Sequence, residues 1–348
     1  MITSDISSVL RHFKTEGSHA HARPFGSGHI HSTWLIEAGN KHDPDYILQK
    51  FNSNVFPLTA ETMNNIRLVT GHLRQKWGPG SGFEVPELIE CTDGGVYHTG
   101  SDGVHWRLYR RINPGISYDQ VPNENVAYEA GKIFGKFIAY LSDLQPDKLS
   151  VVIPGFHSAE LRYEQLQTAV KNDPAGRRAE VEAEIAFAGK HYDAMLELPR
   201  RQQSGEVPLR VTHNDTKLNN VLFDDRGRAV SVIDLDTVMP GLSLYDFGDL
   251  VRTAAGTGDE DEADLNRIGF NRALYKAIEK GFLEQTRHFL TPAETALMPL
   301  SARYMTWIMG IRFLADYING DVYYQTHYPG QNLRRCRAQF RLMETMEF

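Results

Sequence analysis

Asp215, Asn220 and Asp234 are the residues whose types and spacing suit them to joint chemistry. Asp215 and Asn220 lie in the polar stretch His213-Asn214-Asp215-Thr216-Lys217-Leu218-Asn219-Asn220, between the apolar runs Pro208 to Thr212 and Val221 to Phe223. Asp234 ends a further apolar run, Ala229 to Ile233. In phosphoryl transfer one carboxylate takes the proton of the acceptor hydroxyl, while an amide and a second carboxylate hold the magnesium that neutralises the phosphates. The pattern Asp-x4-Asn followed by an Asp at a strand end matches that division of labour, with Asp215 as base and Asn220 and Asp234 as metal ligands. His213 reads as structural, holding the loop by hydrogen bonds. Asp236 either binds a second metal or braces the loop. Tyr245-Asp246-Phe247-Gly248-Asp249 opens a helix soon afterwards and places Asp246 to receive backbone N–H groups from the loop.

Other positions need context. Gly26-Ser27-Gly28 suits any tight hairpin, but between the first two strands of a small lobe it lets backbone N–H groups approach phosphate oxygens unobstructed. Lys50 is either an exposed lysine on a strand or the cation that reaches the α- and β-phosphates of ATP, with Leu48 on the same face roofing the base. Glu61, early in the next helix, either pairs with Lys50 or simply benefits from the helix N-terminus. Arg312 and Asp316, at i and i+4, either form an intrahelical pair or hydrogen-bond acceptor hydroxyls.

These residues require positioning elements, and the hydrophobic periodicity supplies them. Asp5 to Phe13 reads as a short helix. Strands follow before and after the glycine turn and at Tyr46 to Phe51, then a helix from Thr59, its candidate cap, to Trp77. Glu84 to Glu90, Val96 to Thr99 and Val104 to Ile112 read as further strands. Residues 1–112 thus predict a β-rich nucleotide-binding lobe, with Asn113-Pro114-Gly115 as hinge. From Asn123 the period turns helical: Asn123 to Leu144, Ser158 to Lys171, Ala179 to Leu198, Ala263 to Arg287, Pro292 to Gly320 and Gln331 to Met346. Residues 113–348 predict a mainly helical catalytic and acceptor-binding lobe, and the fold class is α+β.

Composition narrows the partners. The chain has 348 residues, 41% hydrophobic and 23% charged, with a net charge of −7 and dispersed basic residues, which argues against nucleic acid. Two distant cysteines, Cys91 and Cys336, argue against a disulfide framework or zinc site. The start of the chain lacks the basic flank and apolar core of a signal peptide, and no run is long enough to span a membrane, which predicts a cytoplasmic protein. The histidines of Gly17 to His31, His19, His21, His29 and His31, read as an irregular surface turn leading into a strand, with a metal site as the alternative, and Asp259-Glu260-Asp261-Glu262 as a solvated turn.

Together His213, Asp215 and Asn220, then Asp234, then Tyr245 and Asp246 resemble the motifs of the aminoglycoside phosphotransferase-like (choline kinase-like) superfamily, whose members share the two-lobed protein-kinase fold and phosphorylate small molecules. Within it, His-Asn-Asp-Thr-Lys-Leu-Asn-Asn, Val-Ile-Asp-Leu-Asp-Thr-Val-Met-Pro-Gly, Arg312 to Tyr317 and Gly320 to Tyr324 look most like the N-acetylhexosamine 1-kinases. The resemblance implies ATP- and magnesium-dependent transfer to the anomeric hydroxyl of N-acetylglucosamine or N-acetylgalactosamine. His31-Ser32 departs from the expected Asn-Asp-like pair in the glycine loop. Residues 235–245 leave too little chain between Asp234 and Asp246 for the peptide-gripping platform of a protein kinase, and no Arg precedes Asp215. The alternatives are a kinase of another small alcohol or amine-bearing acceptor (choline, homoserine, aminoglycoside) and an inactive nucleotide-binding module.

Overall fold

The computed structural model describes residues 4–26, 30–77 and 82–348. It is an α+β molecule with a five-stranded antiparallel sheet in its N-terminal region and helices in its C-terminal region. Helix α1 (Ser4–Leu10) precedes β1 (His19–Pro24), and β2 (Ser32–Ala38), β3 (Tyr46–Phe51), helix α2 (Thr59–Lys76), β4 (His98–Thr99) and β5 (His105–Arg110) follow. The sheet order is β1-β2-β3-β5-β4. Trp34, Leu48 and Leu108 are cross-strand partners and so share one face, which packs with Ile36 and Tyr46 beneath Ile6 and Leu10. The opposite face carries Thr33, Gln49 and Arg107 in register, with Leu35, Ile47 and Tyr109 alongside.

Two expectations in this region change. Residues 84–90 make only an isolated bridge, Leu88 to Tyr109, because Pro86 has no N–H to donate and its carbonyl is taken by Arg74 Nη2 at 2.7 Å. Thr59 is the first helical residue rather than the cap: its hydroxyl donates to Phe56 O at 3.4 Å, and Leu58 holds the cap position. Asn65 on α2 ties the helix onward, donating to Ser150 O (2.7 Å) and Val238 O (2.9 Å) and accepting from Ser150 N (2.9 Å).

The helical region begins with α3 (Glu124–Leu141), whose Asn123 cap accepts from Val126 N at 3.0 Å. Helix α4 (Ala159–Asn172) follows, then α5 (Glu182–Met195) and α6 (Glu197–Gln203), two helices where one was expected, since Pro199 fits only in a helix's first turn. Strands β6 (Arg210–Thr212), β7 (Val221–Phe223), β8 (Ala229–Val232) and β9 (Met239–Gly241) form two small antiparallel pairs, β6-β9 and β7-β8. Helices α7 (Ser243–Ala254), α8 (Arg272–Thr286), α9 (Pro292–Asn319) and α10 (Gln331–Thr345) complete the chain. The start of α8 lies later than residue 263 because the Asn271 side-chain Oδ1 accepts from Ala273 N and Leu274 N, capping the helix there, while Phe270 bridges back to Gly256. Helices α3 and α8 cross backbone to backbone: a Cβ on Gly131 would lie 2.2 Å from Ile278 O, and one on Gly281 2.2 Å from Tyr128 O. In the acidic run, Asp261 is not merely solvated but accepts from Tyr328 Oη (2.6 Å) and Gln331 Nε2 (2.8 Å). Among the described residues no helix is long and apolar enough to cross a membrane.

Candidate active site

The loop from His213 to Asn220 leaves β6 and is held from below by Asp246, in the first turn of α7. The two Asp246 oxygens accept from His213 N (2.8 Å) and Asn214 N (2.7 Å), and Thr216 Oγ1 donates to Asp246 O at 2.5 Å. Burial pushes the Asp246 carboxyl up to about 6, against the pull of His213 and the two N–H groups. His213 is fully buried. Its Nε2 lies 2.9 Å from Ile233 O, an atom that only accepts, so Nε2 carries the proton and Nδ1 accepts from Asp215 N at 3.2 Å. With Asn214 at φ +65°, its amide donating to Thr212 O and Thr237 O, the backbone is pinned on both sides of Asp215. The side chain of Asp215 stays 25% exposed.

Around Asp215 the structure gathers Asn220 and Lys217. Asn220 Nδ2 donates to Asp215 O (2.8 Å) and Oδ2 (3.1 Å), and Lys217 Nζ lies 3.2 Å from the same Oδ2. Asp215 first, then Asp234 and Asp249, hold the Lys217 ammonium above its usual range against the effect of burial. Among the described residues Asp215 Oδ1 is therefore the oxygen without a partner. Ile233 N donates to Asn220 O at 2.9 Å, which draws the loop beside Asp234. Asp234 adopts a left-handed conformation, φ +61° and ψ 58°, uncommon for a residue with a side chain. The residue is exposed at the surface, yet protein atoms crowd its carboxylate. Burial, then repulsion from Asp236 and Asp215, raises it to about 6, which a cation would reverse. Among the described residues no three His, Cys, Asp or Glu converge as a closed metal cage. A pair such as Asn220 and Asp234 suits magnesium, which keeps waters and substrate phosphates as its other ligands.

The sheet side differs from expectation. Lys50 is exposed and points to the α1 side with Trp34 and Leu48, because it pairs in register with Ser32 and Trp106. Leu48 lies in the core beneath α1 rather than over a base. Glu61 is exposed, and the structure does not bring it to Lys50. Gly26 has the positive φ (+81°) of a tight turn, while Ser27 and Gly28 fall outside the described residues. The cation that looks inward is Arg107 on β5, only 1% exposed. Its guanidinium pairs with both oxygens of Asp236, Nη2 to Oδ2 at 2.8 Å, while Nε donates to Gln49 Oε1 at 2.9 Å. His31 completes the arrangement: Nδ1 accepts from Asn52 N (3.1 Å), so Nε2 donates to Asp236 Oδ2 (2.6 Å). Burial alone would raise the Asp236 carboxyl, but Arg107 and His31 hold it well below the usual range. Asp236 is thus a brace between sheet and helical region, with both oxygens taken. Lys50→Met is expected to leave both melting temperature and the KM for ATP unchanged, within about 0.5 kcal/mol for an exposed site; a rise of tenfold in KM would return Lys50 to the nucleotide.

Helices α4 and α9 flank an open pocket of about 600 Å³ lined by Arg162, Arg312, Tyr323 and Tyr324. Among the described residues Arg312 has no carboxylate partner, and it lies 5.2 Å from the Phe156 ring and 5.5 Å from the Tyr324 ring. Asp316 does not pair with it. Buried at 5% exposure, Asp316 accepts from Val322 N (3.0 Å), Tyr323 N (2.8 Å), Tyr324 N (2.9 Å) and Asn332 Nδ2 (2.9 Å), which leaves it no capacity for an acceptor hydroxyl. Its work is to fold residues 322–324 over the pocket. His157 links the pocket to the loop, Nε2 donating to Asn214 O at 2.9 Å. Burial lowers the His157 pKa to about 3, helped by Arg312 and Arg162. The unfolded chain then binds a proton here between about pH 6.5 and 3 that the folded chain does not, so stability falls with pH in that window. The His157 contribution, about 2 kcal/mol lost between pH 7 and 5, is read as the difference in denaturation slope between the native chain and His157→Gln, because the raised Asp234 and Asp246 carboxyls act in the opposite sense over the same range.

Lys217, Arg107, His31, Arg162 and His157 are site residues that sequence reasoning passes over. Lys217 has a signal, its place between Asp215 and Asn220. Arg107 has none, since Arg107 and Arg110 on one strand alternate equally with apolar residues.

The model of the phosphotransferase enzyme family matches residues 21–279. Among solved structures, a microcompartment-associated aminopropanol kinase is 16% identical with a TM-score of 0.68, the match covering 97% of this chain and 94% of that one. A spectinomycin phosphotransferase solved with ADP and spectinomycin is 12% identical (TM-score 0.62; 97% and 94% covered). An aminoglycoside phosphotransferase from Alicyclobacillus acidocaldarius is 14% identical (TM-score 0.59; 98% and 93% covered). At such identities the likeness is one of fold.

Proposed function

The chain belongs to the phosphotransferase enzyme family, and on that premise we propose that it is an ATP- and magnesium-dependent kinase of a small hydroxylated acceptor, with the anomeric hydroxyl of an N-acetylhexosamine as the preferred target. The observation that carries the reading is the grouping at one loop of Asp215, Lys217 and Asn220 beside Asp234, next to a pocket of small-molecule size. Asp215 orients the acceptor hydroxyl and takes its proton at Oδ1, the oxygen that Asn220 and Lys217 leave free. Lys217 meets the charge of the transferred group. Asn220 and Asp234 are the residues that would hold magnesium, whose chemistry is to neutralise the phosphates. On the sheet side Ile47 and Tyr109 offer the base an inward-facing surface, and the Arg107–Asp236 pair sets that sheet over the loop. Arg312 with its flanking aromatic rings suits a sugar face and its hydroxyls.

The sugar preference is supported by the resemblance at residues 213–220, 312–317 and 320–324. A second reading, an amine-bearing alcohol as acceptor, is supported by the likeness to an aminopropanol kinase. ADP release over N-acetylglucosamine, N-acetylgalactosamine, glucose, choline, homoserine and aminopropanol separates the two. Phosphorus NMR of the product should show a sugar 1-phosphate; a 6-phosphate, or turnover confined to the amines, would overturn the preferred reading.

A further inference from the structure

The pocket between α4 and α9 is short of hydrogen-bond acceptors. Arg162 spends Nε and Nη2 on one atom, Phe156 O (both 3.1 Å), and Nη1 on Gln165 Oε1 (2.9 Å). Among the described residues Arg312 has Met309 Sδ at 3.4 Å as its one hydrogen-bond partner, beside its aromatic contacts. Among the described residues neither guanidinium has a carboxylate within ion-pair distance. Of the two carboxylates in the lining, Asp316 is saturated by its N–H donors and Glu164 stands exposed at the rim. The guanidiniums act on one another: burial and then Arg312 lower Arg162 to about 10. Tyr324, acted on by both, has its hydroxyl buried and without a hydrogen-bond partner among the described residues. Among the described residues two half-buried cations and an unbonded hydroxyl border the cavity without a counter-charge, and hydrogen bonds to main chain and contacts with aromatic rings leave donor capacity that a ligand oxygen would use.

We propose that the pocket formed by Arg162, Arg312 and Tyr324 receives a carbonyl or carboxylate oxygen borne by the acceptor, and that the same residues repel an acceptor carrying an ammonium group. This rests on the reading of Asp215 as the acceptor-hydroxyl site. The pocket is one short relay from it: Arg162 holds Phe156 O, and the next residue, His157, donates to Asn214 O. An acceptor with its reactive hydroxyl at Asp215 would extend its second substituent toward the arginines. An acyl carbonyl takes two donors at once, a carboxylate more, and an ammonium takes none. Selectivity of this kind is steep, because the wrong ligand leaves the site's own donors unpaired.

Isothermal titration with N-acetylglucosamine, glucuronate and glucosamine, with a non-hydrolysable ATP analogue and magnesium present, reads the pocket without turnover. The native chain should bind the acyl or the carboxylate sugar at least about tenfold more tightly than the amine, and the order of the first two tells which oxygen is meant. Tyr324→Phe removes a hydroxyl with no protein partner, so the melting temperature should hold while binding of the favoured sugar weakens about tenfold and nucleotide binding does not change. Arg162→Leu should bring the three sugars within about threefold of one another. Equal or tighter binding of glucosamine by the native chain, or an unaltered preference in both variants, overturns the proposal. Selective binding that both variants abolish, without turnover of any sugar, upholds the pocket and defeats the sugar-kinase reading instead.

Discussion

Asp215→Asn is expected to lower kcat by about 10³-fold or more while leaving nucleotide affinity and the melting temperature nearly intact. The amide is isosteric and its oxygen can still accept from Asn220 Nδ2, now 3.1 Å from Asp215 Oδ2, so the loop keeps its shape. What is lost is a carboxylate oxygen able to take a proton from the acceptor. The backbone around residue 215 is held by Asp246, His213 and Asn214, none of which depends on the Asp215 side chain. Single-turnover phosphate transfer alongside titration with an ATP analogue makes the measurement. Retention of more than a tenth of the native rate would move the proton-accepting role elsewhere.

The largest effect on stability is expected at Arg107. Arg107→Met strands Asp236, 2% exposed, with His31 as its remaining side-chain partner. Breaking one side of a buried ion pair in this way costs about 3–5 kcal/mol, whereas replacing both members with apolar residues is often neutral. Urea denaturation of Arg107→Met, Asp236→Leu and the double variant should show a large loss in Arg107→Met and recovery of most of it in the double variant. A loss below about 1 kcal/mol in Arg107→Met would mean that His31 and water suffice for Asp236. Because Arg107 belongs to the sheet and Asp236 to the helical region, the same variant should also weaken nucleotide binding, with the sheet set less firmly over the loop.

The fold class is legible in the sequence because it depends on local pattern. Strand alternation fills the N-terminal region, helical spacing fills the C-terminal region, and the caps at Asn123 and Thr291 mark where helices begin. The juxtaposition of Asp215, Lys217 and Asn220 is legible for the same reason, since one loop carries all three. What escapes are facts of tertiary placement. Alternation puts Leu48 and Lys50 on one face, but only the seating of α1 against that face shows that it looks outward. Helical spacing makes Arg312 and Asp316 neighbours, yet the backbone of residues 322–324 folding back takes the carboxylate first. Arg107 and Asp236 are 129 residues apart, and no local signal in either strand or loop announces the other. Proline and asparagine shift the boundaries at 84–90, 199 and 271, where a missing N–H or a side-chain cap overrides the apolar period.

The crossing of α3 and α8 has a genetic corollary. Gly131 and Gly281 each abut a carbonyl of the opposite helix at a distance no Cβ tolerates. A methyl group at either position meets main chain, which every sequence carries, so trimming a neighbouring side chain cannot make room for it. Substitutions there should behave as loss-of-function alleles without second-site suppressors in the facing helix. A saturation screen would consequently score two glycines remote from any chemistry among the least replaceable positions in the protein.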